Sequence, residues 1–267
     1  MNDPAIWQLD TKRIGRKVLR YERVSSTNDL ALALADDADH DGTVILAAEQ
    51  TGGRGRHGRI WQCPHGMGVL FSCVLFPPSD LRRPVVLAAW AAVAVCETIR
   101  HVTKLNPQIK WPNDVLVHGR KVCGILIEQA SATVVGIGLN VNQTLEMLNQ
   151  SGLAGAGSLM MLGGRQHDVS DVAHTLIEQL DIHYHAMCVG ELASLETQWK
   201  MYTGLMGRYV VVEAHDAVHT GKLLEFGWET VEIEVPSAGL IRLRPEHVSR
   251  ITRSDMPEPS ESHGAQK

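Results

Sequence analysis

None of the five cysteines, Cys63, Cys73, Cys96, Cys123 and Cys188, stands in a Cys-x-x-Cys pair, and their odd number and wide scatter leave no zinc-site or redox-dithiol spacing. They read as free thiols of a reducing compartment. Residues 1–17 lack the apolar core of a signal peptide, which argues against export and for a cytoplasmic chain. The longest apolar run, residues 85–96, is too short to span a bilayer, so no membrane is implied, and a buried helix starting at Pro84 is expected there. Positive charge is not in excess: 25 Lys and Arg stand against 30 Asp and Glu, a net charge of −5. Such a surface does not grip nucleic acid as a whole, although one basic loop can sit on an acidic body. Internal repeats are absent as well. What remains is a 267-residue globular chain, 44% hydrophobic, long enough for one large core and a small appendage.

Against that plain background, residues 52–59 read Gly-Gly-Arg-Gly-Arg-His-Gly-Arg. Glycines let backbone N–H groups approach a ligand closely, and arginines offer rigid, permanently charged donor forks that match phosphate oxygens. A segment of this kind can also be a solvated loop or a sequence-indifferent grip on RNA. The apolar residues 44–48 before it, and Ile60-Trp61 and residues 69–71 after it, instead predict an ordered loop between core strands that holds a small polyanion.

Residues 17–24 read as a strand and residues 25–29 as the cap of a helix over 30–35. Strands follow at 43–48 and 69–76, then the buried helix over 84–102 and a short strand at 108–111 stopped by Pro112. Asn113-Asp114 makes a turn, residues 115–117 and 122–128 a hairpin, and residues 133–141 the next strand. Strands in succession without intervening helices predict an α+β fold with a mixed, largely antiparallel sheet and packed helices. Residues 152–157 read as a flexible glycine- and alanine-rich loop, and residues 169–189 as an amphipathic helix with His183 and His185 facing solvent. Trp90 reads as core. After residue 203 the texture changes to short alternating strands at 208–213, 220–226, 230–235 and 240–243, which predict a small closed β-barrel over 204–253. Residues 254–267 hold almost nothing apolar and are expected to be a disordered tail.

Three further motifs follow the Arg-Gly loop in order: Lys110-Trp111-Pro112-Asn113-Asp114, then residues 120–126 (Arg-Lys-Val-Cys-Gly-Ile-Leu), then residues 136–142 (Gly-Ile-Gly-Leu-Asn-Val-Asn). Together with Ser26-Thr27-Asn28, Gln50 and residues 53–61, this series resembles the biotin protein ligases over roughly residues 17–253. The resemblance implies a class II synthetase-like catalytic domain, residues 1–203, followed by an SH3-like barrel. It implies activation of biotin with ATP and Mg2+ to biotinyl-5′-adenylate, and transfer to a lysine of a biotin carboxyl carrier protein or domain of a biotin-dependent carboxylase. By the family's motif Ser26, Thr27, Asn28, Gln50, Gly53, Arg54, Gly55, Arg56, Lys121 and Gly124 bind biotin. Arg54, Arg56, Arg59, Trp61, Lys110, Asn113, Lys121 and Asn140 bind ATP. Arg56, Lys121 and Asp114 are the catalytic candidates, with Trp61 flanking adenine and Asp114 orienting or deprotonating the acceptor lysine. No direct protein ligand to a metal is implied.

His57 stands where well-known members carry another arginine, so the loop has one fixed charge fewer. About two dozen residues precede the Ser-Ser-Thr-Asn segment, which leaves no room for the winged-helix domain of relatives that repress transcription, so no DNA binding is expected. Dimerisation through a sheet edge is the family's habit, and a homodimer is therefore an open expectation. Two other readings stand beside this one: a lipoate or octanoate ligase or transferase of the same fold, and an RNA-binding module built on Arg54, Arg56 and Arg59.

Overall fold

A computed structural model describes residues 3–254 and divides the chain into two compact units, Met1–Thr203 and Gly204–Lys267. Apart from Ser254, the expected tail lies outside the described residues.

Among the described residues the first unit is built on eight strands: β1 (Ala5–Trp7), β2 (Val18–Val24), β3 (Val44–Gln50), β4 (Gly68–Leu75), β5 (Pro107–Lys110), β6 (Asp114–Val117), β7 (Arg120–Gln129) and β8 (Thr133–Asn140). They form one sheet in the order β1-β2-β3-β4-β8-β7-β6-β5. Only the β2–β3 pair is parallel, because a helical crossover separates these two strands, whereas tight turns or returning segments make the remaining pairs antiparallel. The mixed sheet and packed helices are those the sequence predicts.

Among the described residues six α-helices accompany the sheet: α1 (Thr27–Leu32), α2 (Pro84–Thr103), α3 (Leu145–Gln150), α4 (Leu159–Gly163), α5 (Val169–Cys188) and α6 (Leu192–Thr203). α1 begins three residues before the expected position. Extended Ser26 is its N-cap and its hydroxyl accepts from the Asp29 N–H, which draws Thr27 and Asn28 into the first turn. α2 starts at Pro84, and every residue from Val85 to Cys96 is buried. By length and apolarity this helix could cross a membrane; here it packs against β5, β6, β7, α5 and α6 as the core helix. Trp90 is fully buried on it and donates Nε1–H to the Leu180 carbonyl at 3.1 Å. His183 and His185 are half-buried rather than solvent-facing, and burial lowers the His183 pKa. The short elements β1, α3, α4 and α6 escape sequence reading.

The register explains how a ligand can approach the sheet. On one face Ile45, Ser72, Gly136 and Leu126 form a continuous row across β3, β4, β8 and β7. The next row on the same face runs Ala47, Leu70, Gly138, Gly124, Asp114 and Lys110. Side chains alternate between faces along a strand, so Gly136 and Gly138 empty two adjacent positions of one face while Ile125, Ile137 and Leu139 bury into the other.

The second unit holds β9 (Tyr209–Ala214), β10 (Val218–Phe226), β11 (Val231–Val235), β12 (Gly239–Leu243) and β13 (Val248–Arg253). They form an antiparallel sheet in the order β12-β11-β10-β9-β13 around Val210, Val212, Leu223, Phe226, Val231, Ile233 and Ile251, an arrangement that fits an SH3-like domain. β12 and β13 stand at its two ends.

At the start of the first unit the chain is fastened by one buried carboxylate. Asp181 of α5, 5% exposed, accepts from the backbone N–H groups of Lys12, Arg13 and Ile14 at 2.7, 2.8 and 2.8 Å. Replacing it with alanine orphans three donors at once. Asp181→Ala is expected to destabilise the fold by about 3 kcal/mol in chemical denaturation; an unchanged unfolding midpoint would remove the fastening role.

Candidate active site

The Arg-Gly loop is an ordered hairpin. Arg54 and Ile60 pair as an isolated antiparallel bridge, the Gly55 N–H donates to the Arg59 carbonyl at 2.7 Å, and the Trp61 N–H donates to the Gly53 carbonyl at 2.9 Å. Its tip is a short turn, Arg56–Gly58, in which His57 takes the left-handed conformation at φ 56°. Gly53 is required by proximity, since a Cβ there would stand 2.5 Å from the Trp61 carbonyl oxygen. The loop walls a cavity of about 520 Å³ that also touches Leu126 and Glu128 of β7.

Both ends of the loop are tied to the sheet. Arg54 donates to both Glu128 oxygens, at 2.9 and 3.1 Å, and pairs with Asp29 of α1; these carboxylates, Asp29 first, raise its pKa. Arg56 donates to Asn113 Oδ1 at 2.8 Å. Asn113 in turn donates Nδ2–H to the Ile125 carbonyl at 2.8 Å, so the β5–β6 turn, β7 and the loop meet at one amide.

Beside the loop, Thr27 and Gln50 interlock. The Thr27 N–H and hydroxyl both donate to Gln50 Oε1, at 2.7 and 2.9 Å, which turns Gln50 Nε2 towards Gly53. Asn28 donates to Glu128 Oε2 at 2.6 Å, and its Oδ1 lies 2.5 Å from Ser72 Oγ. The Asn28 amide fits only because Gly136 has no side chain: a Cβ there would stand 2.2 Å from Asn28 Oδ1. Two residues along β8, the Trp61 indole lies over Gly138, where a Cβ would stand 2.2 Å from the ring, and over its cross-strand partner Gly124.

Lys121 reaches the same place through a bulge. Cys123 pairs with Val115 and Lys121 with Leu116, so Val122 is the extra residue in β7. Without it Lys121 would point away from the Gly124 face. With it, Lys121 Nζ stands 3.3 Å from where a Gly124 Cβ would be, 2.6 Å from Asp114 Oδ1 and 5.9 Å from the Trp61 ring centroid. Residues 152–157, expected to be flexible, lie hydrogen-bonded along this strand: the Lys121 N–H donates to the Gly155 carbonyl, and the Gly157 N–H to the Lys121 carbonyl.

Thr27, Asn28, Gln50, Gly53, Arg54, Gly55, Arg56, Arg59, Trp61, Asn113, Asp114, Lys121 and Gly124 thus gather around one sheet face, and Lys110 pairs in register with Asp114. Two expected residues do not present themselves there. Ser26 is 1% exposed and occupied as the cap of α1. Asn140 is 3% exposed, donates to the Gly157 carbonyl and accepts from Gln143 Nε2, so both ends of its amide serve the fold. Trp61 lies over the glycine pair of the sheet floor, with Lys121 Nζ 5.9 Å from its ring centroid. Sequence reasoning assigned no part to Asp29, Ser72, Glu128, Gly136 or Gly138. The signal for the last two was legible, a Gly-x-Gly at period two inside an apolar strand.

Burial raises the thiol pKa of Cys63 to about 12 and pushes those of Cys73 and Cys123 higher, which disfavours the nucleophilic thiolate at these positions.

Comparison with known proteins agrees with this geometry. The biotin/lipoate A/B protein ligase family matches residues 21–142. The chain is 33% identical over 237 residues to the biotin acetyl-CoA-carboxylase ligase of Mycobacterium tuberculosis, covering 74% of this chain and 86% of that one. It is 29% identical over 241 residues to the bifunctional ligase/repressor BirA of Bacillus subtilis, covering 88% and 74%. Among solved structures, the biotin protein ligase of Aquifex aeolicus in complex with biotin and ATP superposes with a TM-score of 0.75 at 25% identity, over 89% of this chain and 99% of that one. Loop, glycine floor and the Lys121–Asp114 pair therefore sit in an enzyme fold built for joining biotin to protein, and the chain belongs to the biotin protein ligase family.

Proposed function

We propose that this ligase joins biotin to ATP, releasing pyrophosphate, and then passes the biotinyl group to the ε-amine of a lysine on the carboxyl carrier domain of a biotin-dependent carboxylase. The observation that carries this reading is the placing of Arg54, Arg56 and Arg59 around one cavity of about 520 Å³ beside a sheet face emptied at Gly124, Gly136 and Gly138. A bicyclic ring can lie flat over Gly124 and Gly138 once the Trp61 indole that covers them moves aside, and the anions of its activation need the cations above.

In the first step a biotin carboxylate oxygen bonds to the α-phosphorus and the bond to pyrophosphate breaks. Two anions must meet, so fixed cations that offset their repulsion lower the barrier. Arg56, Arg59 and Lys121 supply them in this reading, with Mg2+ arriving as part of the nucleotide substrate. Thr27, Asn28 and Gln50 offer the neutral polar groups that a ureido ring requires. In the second step the acceptor ammonium loses a proton, its nitrogen bonds to the carbonyl carbon of the mixed anhydride, and AMP leaves. Protonated lysine, with a pKa of about 10.4, is no nucleophile. Asp114, released when Lys121 turns to the phosphate, orients and deprotonates it. The five free cysteines suit a reducing, cytoplasmic setting.

Biotin-dependent pyrophosphate release tests the first step. Lys121→Met is expected to slow it about 100-fold, the usual loss when one charge-stabilising donor is removed. Asp114→Asn is expected to slow mass gain on a carrier domain about 100-fold while the melting temperature holds; wild-type turnover in either variant contradicts the corresponding role. Lipoate in place of biotin should give no modification, and lipoate-dependent modification would move the chain to the lipoate branch of the fold.

A further inference from the structure

We propose that Trp199 of α6 is a positioning residue for Asp114, acting from the helical layer through Trp111 and the turn that joins β5 to β6. The service to Asp114 rests on the ligase reading above; the placing of the turn by Trp199 does not.

The sheet shows why such a support is needed. Among the described residues β5 is the last strand and pairs with β6 alone, so β7 holds the β5–β6 hairpin on one side and no strand holds it on the other. Pro107 and Ile109 are buried while Gln108 is exposed, and buried Trp111 continues that alternation just past the strand end. Lys110 and its register partner Asp114 stand on the opposite face, in the row of Gly124 and Gly138. The Trp111 ring, 3% exposed, lies 5.1 Å from the Trp199 ring, 1% exposed, with the planes tilted by 32°. Helix α6 thus supplies the support that an edge hairpin lacks.

The turn is held by two anchors of different kinds. Asn113 ties it to β7: the Ile125 N–H donates to the Asn113 carbonyl at 3.0 Å, and Asn113 Nδ2–H donates to the Ile125 carbonyl at 2.8 Å. Trp111 ties it to α6 by packing. Asp114 follows directly, its carboxylate 2.6 Å from Lys121 Nζ, so any swing of the turn moves that carboxylate against the lysine. A misplacement of about 1 Å at a reacting group costs up to about 100-fold in rate. Helix α6 is itself fastened. Leu195, Trp199 and Tyr202 form its buried stripe, and the Tyr202 hydroxyl accepts from Arg100 Nη1 at 3.2 Å and donates to Glu97, both on the core helix α2. A continuous line of contacts therefore runs from α2 through Tyr202, Trp199 and Trp111 to the turn that carries Asp114.

Hydrogen exchange of the full chain, read by mass spectrometry, tests the placing of the turn, and single-turnover transfer of the biotinyl group from preformed adenylate to a carrier domain tests the service to Asp114. Trp199→Leu should speed exchange at residues 110–116 about tenfold and leave residues 44–50 of β3 unchanged. The same variant should slow transfer about 20-fold. In an Asp114→Asn background it should add less than about twofold, whereas a mere loss of folded chain slows both backgrounds equally. Trp199→Phe keeps a ring against Trp111 and should bring transfer back to within about threefold of wild type. If Trp199→Leu does not fold, Tyr202→Phe carries the same test by removing one hydroxyl, with transfer about threefold slower and that loss absent in the Asp114→Asn background. Wild-type exchange at residues 110–116, or equal slowing in both backgrounds, would overturn the positioning role. A wild-type chain that modifies no carrier with biotin would sink the ligase reading, and the exchange result would then decide the placing of the turn by itself.

Discussion

A site of this kind depends on backbone being left bare. Cβ atoms on Gly136 or Gly138 would stand 2.2 Å from Asn28 and Trp61, inside any tolerable contact, and one on Gly124 would stand a tight 3.0 Å from Trp61. Gly124 and Gly138 are direct partners on β7 and β8, and Gly136 is two residues along on the same face. Because strand side chains alternate, this spacing clears one side of the sheet without weakening the apolar packing of the other. α1, the Arg-Gly loop and the Lys121 bulge all converge on that cleared patch. Each would be displaced by a side chain there.

Around the patch, charge is arranged in balanced units. Arg54 is held by Asp29 and Glu128, Lys121 by Asp114, and Arg56 by a neutral amide, Asn113. The units differ in what a ligand must displace. Arg56 exchanges a neutral partner for an anion and gains most, whereas Lys121 must first leave a carboxylate at 2.6 Å, and Arg54 must leave two. This ordering gives the three cations distinct roles although they share one chemistry. It also gives the net charge of −5 a local meaning, since the acids that outnumber the bases include those that hold the site's own cations in place.

The sequence exposes those parts of the fold that are written locally. The Arg-Gly loop, the apolar stretch that becomes α2 and the succession of strands from residue 107 onwards each carry their own pattern, and the mixed sheet follows from them. Distant pairings are not written locally. Val122 as a bulge residue is invisible until β6 is laid beside β7, yet it decides which way Lys121 points. Ser26 and Asn140 sit in the right motifs but are occupied by a helix cap and by Gly157 and Gln143, partners that only the fold brings to them. Asp29, Glu128 and Asp181 look like ordinary surface acids in the sequence because their partners lie 25, 74 and about 168 residues away. The resemblance to the ligases supplied the residue types of the site, and the structure supplied their connections.

At the centre of the proposed function is the glycine-cleared face of β7 and β8 as the floor on which biotin would lie. A crystal structure of the chain soaked with biotin tests it most directly. The expected result is the bicyclic ring against Gly124 and Gly138, its carboxylate directed at Lys121 and Arg56, with Trp61 shifted from its place over Gly138. Biotin bound elsewhere while Trp61 still covers Gly138 would contradict it.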